Sequence, residues 1–243
     1  MKGLLVTNDY DSLEKSDNIR VVYDRENDKV YVEKSFLMLY NFIDLGLPSG
    51  TKWADKNLGA LKQEDVGLYF AWGETEGYKF DIKNNKILNY DGNESTKLFN
   101  WDDYKFSING SDSNFSKYNT SDMKIILESE DDVVNKSNNL CFMANQIQFE
   151  ELIDNTTSTF EILNGVKGKR LTGVNGNSIF IPFGGFLSNG SLNLPDYSLI
   201  WQSEISESGN RENAGDFNLN MTNIYLDSDN RCFGLNIRPI KVI

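Results

Sequence analysis

The sequence predicts an α+β protein with many short strands, one main helix and a β-rich N-terminal arm. Three observations lead there. From Ser178 onward, short apolar segments alternate with stretches rich in Asn, Asp, Ser and Gly, the pattern of strands joined by polar loops. Asn145 to Thr156 carries helical periodicity together with a start signal. The length of 243 residues, with 39% hydrophobic and 25% charged, suits one domain with a full core plus an extension.

Along the chain, Ile19-Arg-Val-Val-Tyr23 and Lys29-Val-Tyr-Val-Glu33 alternate with period two around a polar Asp24–Asp28 loop, which reads as a β-hairpin. A lone hairpin is marginal in water. With the apolar run Ser35-Phe-Leu-Met-Leu-Tyr40, it reads as an assembly arm over residues 1–40, ahead of a domain over 41–243. Next, Phe42-Ile-Asp-Leu-Gly-Leu-Pro-Ser-Gly-Thr-Lys-Trp-Ala54 runs from an apolar strand through turn chemistry at Pro48-Ser49-Gly50 into Trp53. Gly67-Leu-Tyr-Phe-Ala-Trp-Gly-Glu74 packs three aromatics between glycines. Lys79 to Asp122 reads as long surface connections pinned by Trp101, Tyr104 and Phe106. In the helix, Asn145 stands at the cap and Gln148 at the capping-box position, with Phe149, Leu152 and Ile153 on one face. Strands are expected at Ile179–Phe183, Leu199–Ser203, Phe217–Leu226 and Cys232–Val242.

These segments, in this order, resemble the Fibrobacter succinogenes major paralogous domain, a family abundant in Bacteroidetes and related to the C-type lectin-like fold. Beyond the two N-terminal segments, the resemblance is carried by Leu127-Glu-Ser-Glu-Asp-Asp132, Phe142-Met143, Phe149-Glu-Glu-Leu-Ile153, Asn175-Gly-Asn-Ser-Ile-Phe-Ile-Pro-Phe183, Trp201-Gln-Ser203 and Phe233-Gly-Leu-Asn-Ile-Arg-Pro239. It spans about residues 42 to 243. Leu140-Cys-Phe-Met-Ala-Asn145 departs from it, lacking the family's tryptophan, arginine and proline before the helix. The resemblance implies a C-type lectin-like domain whose two ends pair, setting Phe42–Leu47 beside Leu235–Ile240.

The composition narrows function. A net charge of −12 argues against binding nucleic-acid backbones or anionic lipid surfaces. No run approaches the ~18 apolar residues of a membrane span. Histidine is absent, which removes Ser-His-Asp and Cys-His catalysis and His-ligated zinc. Cys141 and Cys232 lie in apolar strand patterns that suit buried thiols, with a disulfide as the alternative. The acidic pairs show neither a facing glycosidase arrangement nor calcium-loop spacing, and Leu194-Pro195-Asp196 is an incomplete sugar-site tripeptide. Neither cofactor nor metal is expected.

Recognition is expected on the loops between Gly185 and Arg231, at Asn189, Asn193, Asp196, Tyr197, Glu204, Asn210, Arg211 and Asn213, which mix amide, carboxylate, guanidinium and phenol groups. In relatives of the fold, including receptor-binding proteins of phages, the corresponding face holds the ligand. The apolar stretch after Met1 stops at Thr7, shorter than the ~7–15 residues of a signal-peptide core. The resulting expectation is a non-catalytic virion appendage, of head- or tail-fibre type, from a phage infecting Bacteroidetes. It would form a homotrimer, join other virion proteins through its arm and bind a host-surface glycan or protein. A bacterial surface or secreted adhesin is the alternative.

Overall fold

The computed structural model describes residues 4–5, 19–24, 29–34, 40–206 and 211–242. The chain forms two compact units, Met1–Leu39 and Tyr40–Ile243. In the first, β1 (Leu4–Leu5), β2 (Ile19–Asp24) and β3 (Lys29–Lys34) form an antiparallel sheet ordered β1-β3-β2. The β2–β3 pairing runs from Ile19↔Lys34 to Asp24↔Lys29, the hairpin that the period-two alternation predicts. The apolar run at 35–39 and most of the expected polar loop lie outside the described residues.

The second unit is mostly β. Its first sheet has the order β4-β5-β17-β8, formed by β4 (Phe42–Asp44), β5 (Lys52–Ala54), β17 (Pro239–Lys241) and β8 (Cys141–Met143). Both ends of the unit therefore meet in one sheet, with β5 between β4 and β17 and Trp53 opposite Ile240. The expected direct pairing of Phe42–Leu47 with the C-terminal strand does not form. The turn at Leu47–Gly50, closed by Gly50 N donating to Leu47 O at 2.9 Å, folds β5 back onto β4 first. Arg238 immediately precedes β17 and is 1% exposed. Its guanidinium donates to Asn57 Oδ1 (2.9 Å), Ala54 O (3.0 Å) and Phe180 O (2.9 Å), tying three segments together.

Between Lys79 and Asp122 the expected connections contain one small hairpin, β6 (Tyr78–Asp81) with β7 (Lys86–Asn89). The aromatics Tyr104, Phe106, Phe115 and Tyr118 are buried there. Phe106 meets Tyr104 and Tyr118 edge-on, and the Arg231 guanidinium lies over Tyr104 and 3.8 Å from the Phe115 ring centre. Helix α1 (Val133–Ser137) escapes a periodicity reading because it is a single turn and a half. Asp132 caps it by accepting from the Val134 and Asn135 amides. Helix α2 (Gln146–Asp154) has both halves of its capping box: Asn145 Oδ1 accepts from Gln148 N, and Gln148 Oε1 accepts from Asn145 N.

After α2 come β9 (Thr156–Leu163), β10 (Val166–Gly173) and β11 (Ser178–Pro182), in the order β11-β10-β9. Gly173 allows this sheet to meet the N-terminal segment, since a Cβ there would lie 1.9 Å from Leu45 O. A short hairpin follows, β12 (Phe186–Ser188) with β13 (Ser191–Asn193). The last sheet is β14 (Ser198–Ile205), β15 (Asn213–Leu219) and β16 (Ile224–Asn230). The expected single strand Phe217–Leu226 is thus two strands, turned where Asn220 Oδ1 accepts from the Thr222 and Asn223 amides. The core lies between this sheet, α2 and the first two sheets. Phe149 stacks on Phe217 at 4.6 Å and meets Trp53 at 5.1 Å, with Leu152, Ile179, Ile181 and Ile200 around them. Side chains of this size contribute about 1.5–3 kcal/mol each on burial. Cys141 and Cys232 are both buried and free, and burial pushes the Cys232 thiol up to about 12, far from a reactive thiolate.

Candidate functional site

The expected recognition residues fall into two groups at opposite ends of β14. Ser198 and Ile205 are seven residue steps apart, or about 23 Å at the usual strand rise. Near the first end, Asn189 and Gly190 both take positive φ (47° and 76°) and make the two-residue turn of the β12–β13 hairpin. Asn193 turns its amide inward to Ser188 Oγ (3.0 Å) and Ser191 O (3.1 Å). Asp196 pairs with Lys167 at 2.8 Å on the surface. Tyr197 is half-buried, and its carbonyl accepts from Gly185 N at 2.8 Å.

At the other end, Arg211 is half-buried and donates to Lys124 O at 2.8 Å. Arg231 donates likewise to Tyr118 O at 3.3 Å. The two arginines thus pin the long loop against the sheet. Glu204 is half-buried at a bridge to Ile126, and Asn213 pairs in register with Asn230. Asn210 lies outside the described residues. The structure therefore does not bring Tyr197 and Arg211 together, and it gives Asn189, Asn193 and Arg211 work within the fold.

A more coherent surface lies on the face of β14–β15–β16 turned away from α2. Because paired residues share a face, Leu199–Asn218–Tyr225 and Trp201–Asp216–Asp227 form neighbouring rows. Trp201 is roofed by the loop whose Phe70 carbonyl accepts its indole N–H at 2.8 Å. Across the sheet the cover ends: Asp216 is fully buried, whereas Asp227 and Tyr225 are exposed. The Tyr197 phenol lies near enough to interact electrostatically with Tyr225. Tyr197, Tyr225 and Asp227 thus make an aromatic and polar rim. The period-two run Tyr225-x-Asp227-x-Asp229 is its signal in the sequence, and an expected strand that ends at Leu226 cuts that run short.

At the centre of this face two carboxyls meet. Asp216 Oδ2 accepts from Asn218 Nδ2 at 2.9 Å, while its Oδ1 has no donor. Burial, then the charges of Asp229 and Asp227, push the Asp216 carboxyl well above its ordinary range. Burial and the Asp227 charge push Asp229 up to about 6. Two neighbouring carboxyls cannot both ionise cheaply, which adds to burial in raising both of them.

Two further clusters bear on chemistry. Glu128, Glu130 and Asp131 bring carboxylate oxygens within 4.8 Å of one another, a spacing that could hold a cation. Lys117 Nζ already occupies that position, at 2.5 Å from Glu128, 3.0 Å from Glu130 and 2.5 Å from Asp131. Lys105 and the Tyr118 hydroxyl add contacts of 2.6 and 2.8 Å to Asp131. Burial opposes the Asp131 charge, but these partners outweigh it and hold the carboxyl below its ordinary value. A polar cleft of about 330 Å³ opens between Glu74, Thr75, Tyr78, Lys97 and Lys105. Its Lys97 ammonium is held by Glu74 at 2.9 Å and Asp103 at 3.3 Å, an internally compensated set.

No family model, no curated protein and no solved structure matches the chain. Among the described residues no helix is long and apolar enough to cross a membrane.

Proposed function

We propose that the chain is a non-catalytic virion appendage protein of head- or tail-fibre type. In this reading the Tyr40–Ile243 unit is a C-type lectin-like domain that binds a host-surface glycan or protein, and the arm before it is the attachment and trimerisation element. The observation that carries the reading is the open rim of Tyr197, Tyr225 and Asp227 beside a roofed, rigid sheet. Two phenols stack on apolar sugar faces while a carboxylate accepts from sugar hydroxyls, and a rigid base keeps the entropy cost of binding low. The meeting of both ends of the unit in one sheet also supports a lectin-like domain. Recognition belongs to this rim and not to Arg211, whose guanidinium already serves the loop at Lys124.

The test is binding of the full chain to host cells and to purified capsular glycan, with Tyr197→Ala/Tyr225→Ala as the variant. Binding should fall at least tenfold, while the melting temperature stays within a few degrees, as expected for partly exposed side chains. A folded variant that binds as well as the parent overturns the assignment. Labelling purified particles and uninfected cells with an antibody to the chain separates an appendage from an adhesin.

A further inference from the structure

We propose that β9 is a self-association edge through which two copies of the chain pair antiparallel, joining their β11-β10-β9 sheets into one six-stranded sheet. β9 has the order and exposure for it. It is the outer strand of its sheet, eight residues long, with the four positions 157–160 exposed in succession. Its sequence, Thr-Thr-Ser-Thr-Phe-Glu-Ile-Leu, is β-branched and aromatic without proline, glycine or lysine. A long flat edge of this type is a template for another strand unless something blocks it.

Among the described residues of the Tyr40–Ile243 unit, the other sheet edges are blocked or short, with β14 bridged by Gly185, Asn236 and Ile126. β16 carries Asp227 and Asp229, β11 is buried from Ile179 to Pro182, and β4 and β8 have three residues each. On β9 the one charge is Glu161, and Arg170 neutralises it through Nε (2.5 Å) and Nη2 (3.0 Å). Ile162 is 59% exposed and Phe160 38% exposed on one face of the strand.

The occupant is a second copy because the edge is self-complementary. A two-fold axis normal to the sheet keeps each face on its own side, so residues of like parity must pair. Centred on Phe160, it sets Phe160 against Phe160 of the second copy, and Ser158 against Ile162. On the other face Glu161 meets Thr159. Arg170 is the register partner of Thr159 on β10, so each Glu161 lies one strand away from the other copy's Arg170. No like charges oppose, and the aromatic pair adds a favourable cross-strand contact.

Cysteine cross-linking of the full chain tests the register, because Cys141 and Cys232 are buried. Paired residues bring Cα atoms within disulfide range, so Phe160→Cys should link most of the chain into a species of twice its 27.7 kDa under mild oxidation. Ser158→Cys and Ile162→Cys should link when mixed, and neither should link alone. Ser158→Lys/Ile162→Lys, which sets lysines opposite each other, should sediment as a smaller species than the parent at equal concentration with an unchanged melting temperature. The proposal is overturned if neither cysteine experiment yields the linked species. It is equally overturned if Ser158→Cys alone links as fast as Phe160→Cys, or if the double-lysine variant sediments like the parent.

Discussion

Arg238 offers the sharpest test of how the domain is held together. Its guanidinium is 1% exposed and satisfies Asn57 Oδ1, Ala54 O and Phe180 O at 2.9–3.0 Å. Arg238→Met keeps most of the stem but strands three buried acceptors. Each stranded group costs about 1–3 kcal/mol, with carbonyls at the low end because a second lone pair can still find a donor. Against this, the variant no longer buries a guanidinium, whose pKa burial has pushed down to about 9. The net loss should be about 3–5 kcal/mol, the range seen when one partner of a buried charged network is removed. Arg238→Lys keeps the charge but cannot fork to three acceptors in different directions, and should lose about half as much. Urea unfolding followed by tryptophan fluorescence reads this directly, since Trp53, Trp72 and Trp201 are buried in the same unit. A loss below 1 kcal/mol for Arg238→Met, or a lysine variant as stable as the parent, would refute the reasoning.

Three other outcomes follow from the site and its surroundings. The Asp229 carboxyl is raised to about 6, so its contribution is fully present below the unfolded value near 4 and is lost as pH rises through 6. Asp229→Asn should therefore gain stability relative to the parent between pH 4 and pH 7, by about 1–2 kcal/mol, read from melting temperatures across that range. Lys117→Met should destabilise at neutral pH by about 2–3 kcal/mol by leaving three carboxylates facing one another. Calcium should restore part of that loss, whereas the parent's melting temperature should not respond to calcium or EDTA. Deleting residues 1–39 should leave a folded unit without trimerisation or particle incorporation; Tyr40 must stay, because its hydroxyl accepts from Gly59 N at 2.7 Å. Sedimentation and particle assembly check this.

The elements legible in the sequence were those whose signals are local. Asn145 and Gln148 announce α2 through side-chain chemistry that acts within one turn. Alternation announces the β2–β3 pair, and a short continuous apolar run announces β11. The β9–β10 hairpin carried an equally local signal, Asn164-Gly165 between extended runs, with φ of 50° and 88°. Strands rich in threonine and glycine lack a clear apolar alternation, so this hairpin does not stand out by periodicity. The site was less legible for a different reason. Tyr197 and Arg211 are near in sequence, yet an eight-residue strand carries the chain away between them. The roles of Arg231 and Arg238 depend on acceptors over a hundred residues distant, at Tyr118 for the first and at Asn57 and Ala54 for the second, which no local pattern encodes.

The central claim, attachment to a host surface through the Tyr197–Tyr225 rim of a virion appendage, is tested most directly by competition. Adsorption of purified particles to host cells is measured in the presence of excess free chain. The account predicts that the parent chain slows adsorption and that Tyr197→Ala/Tyr225→Ala does not. Adsorption unaffected by the parent chain, or slowed equally by both proteins, would contradict it.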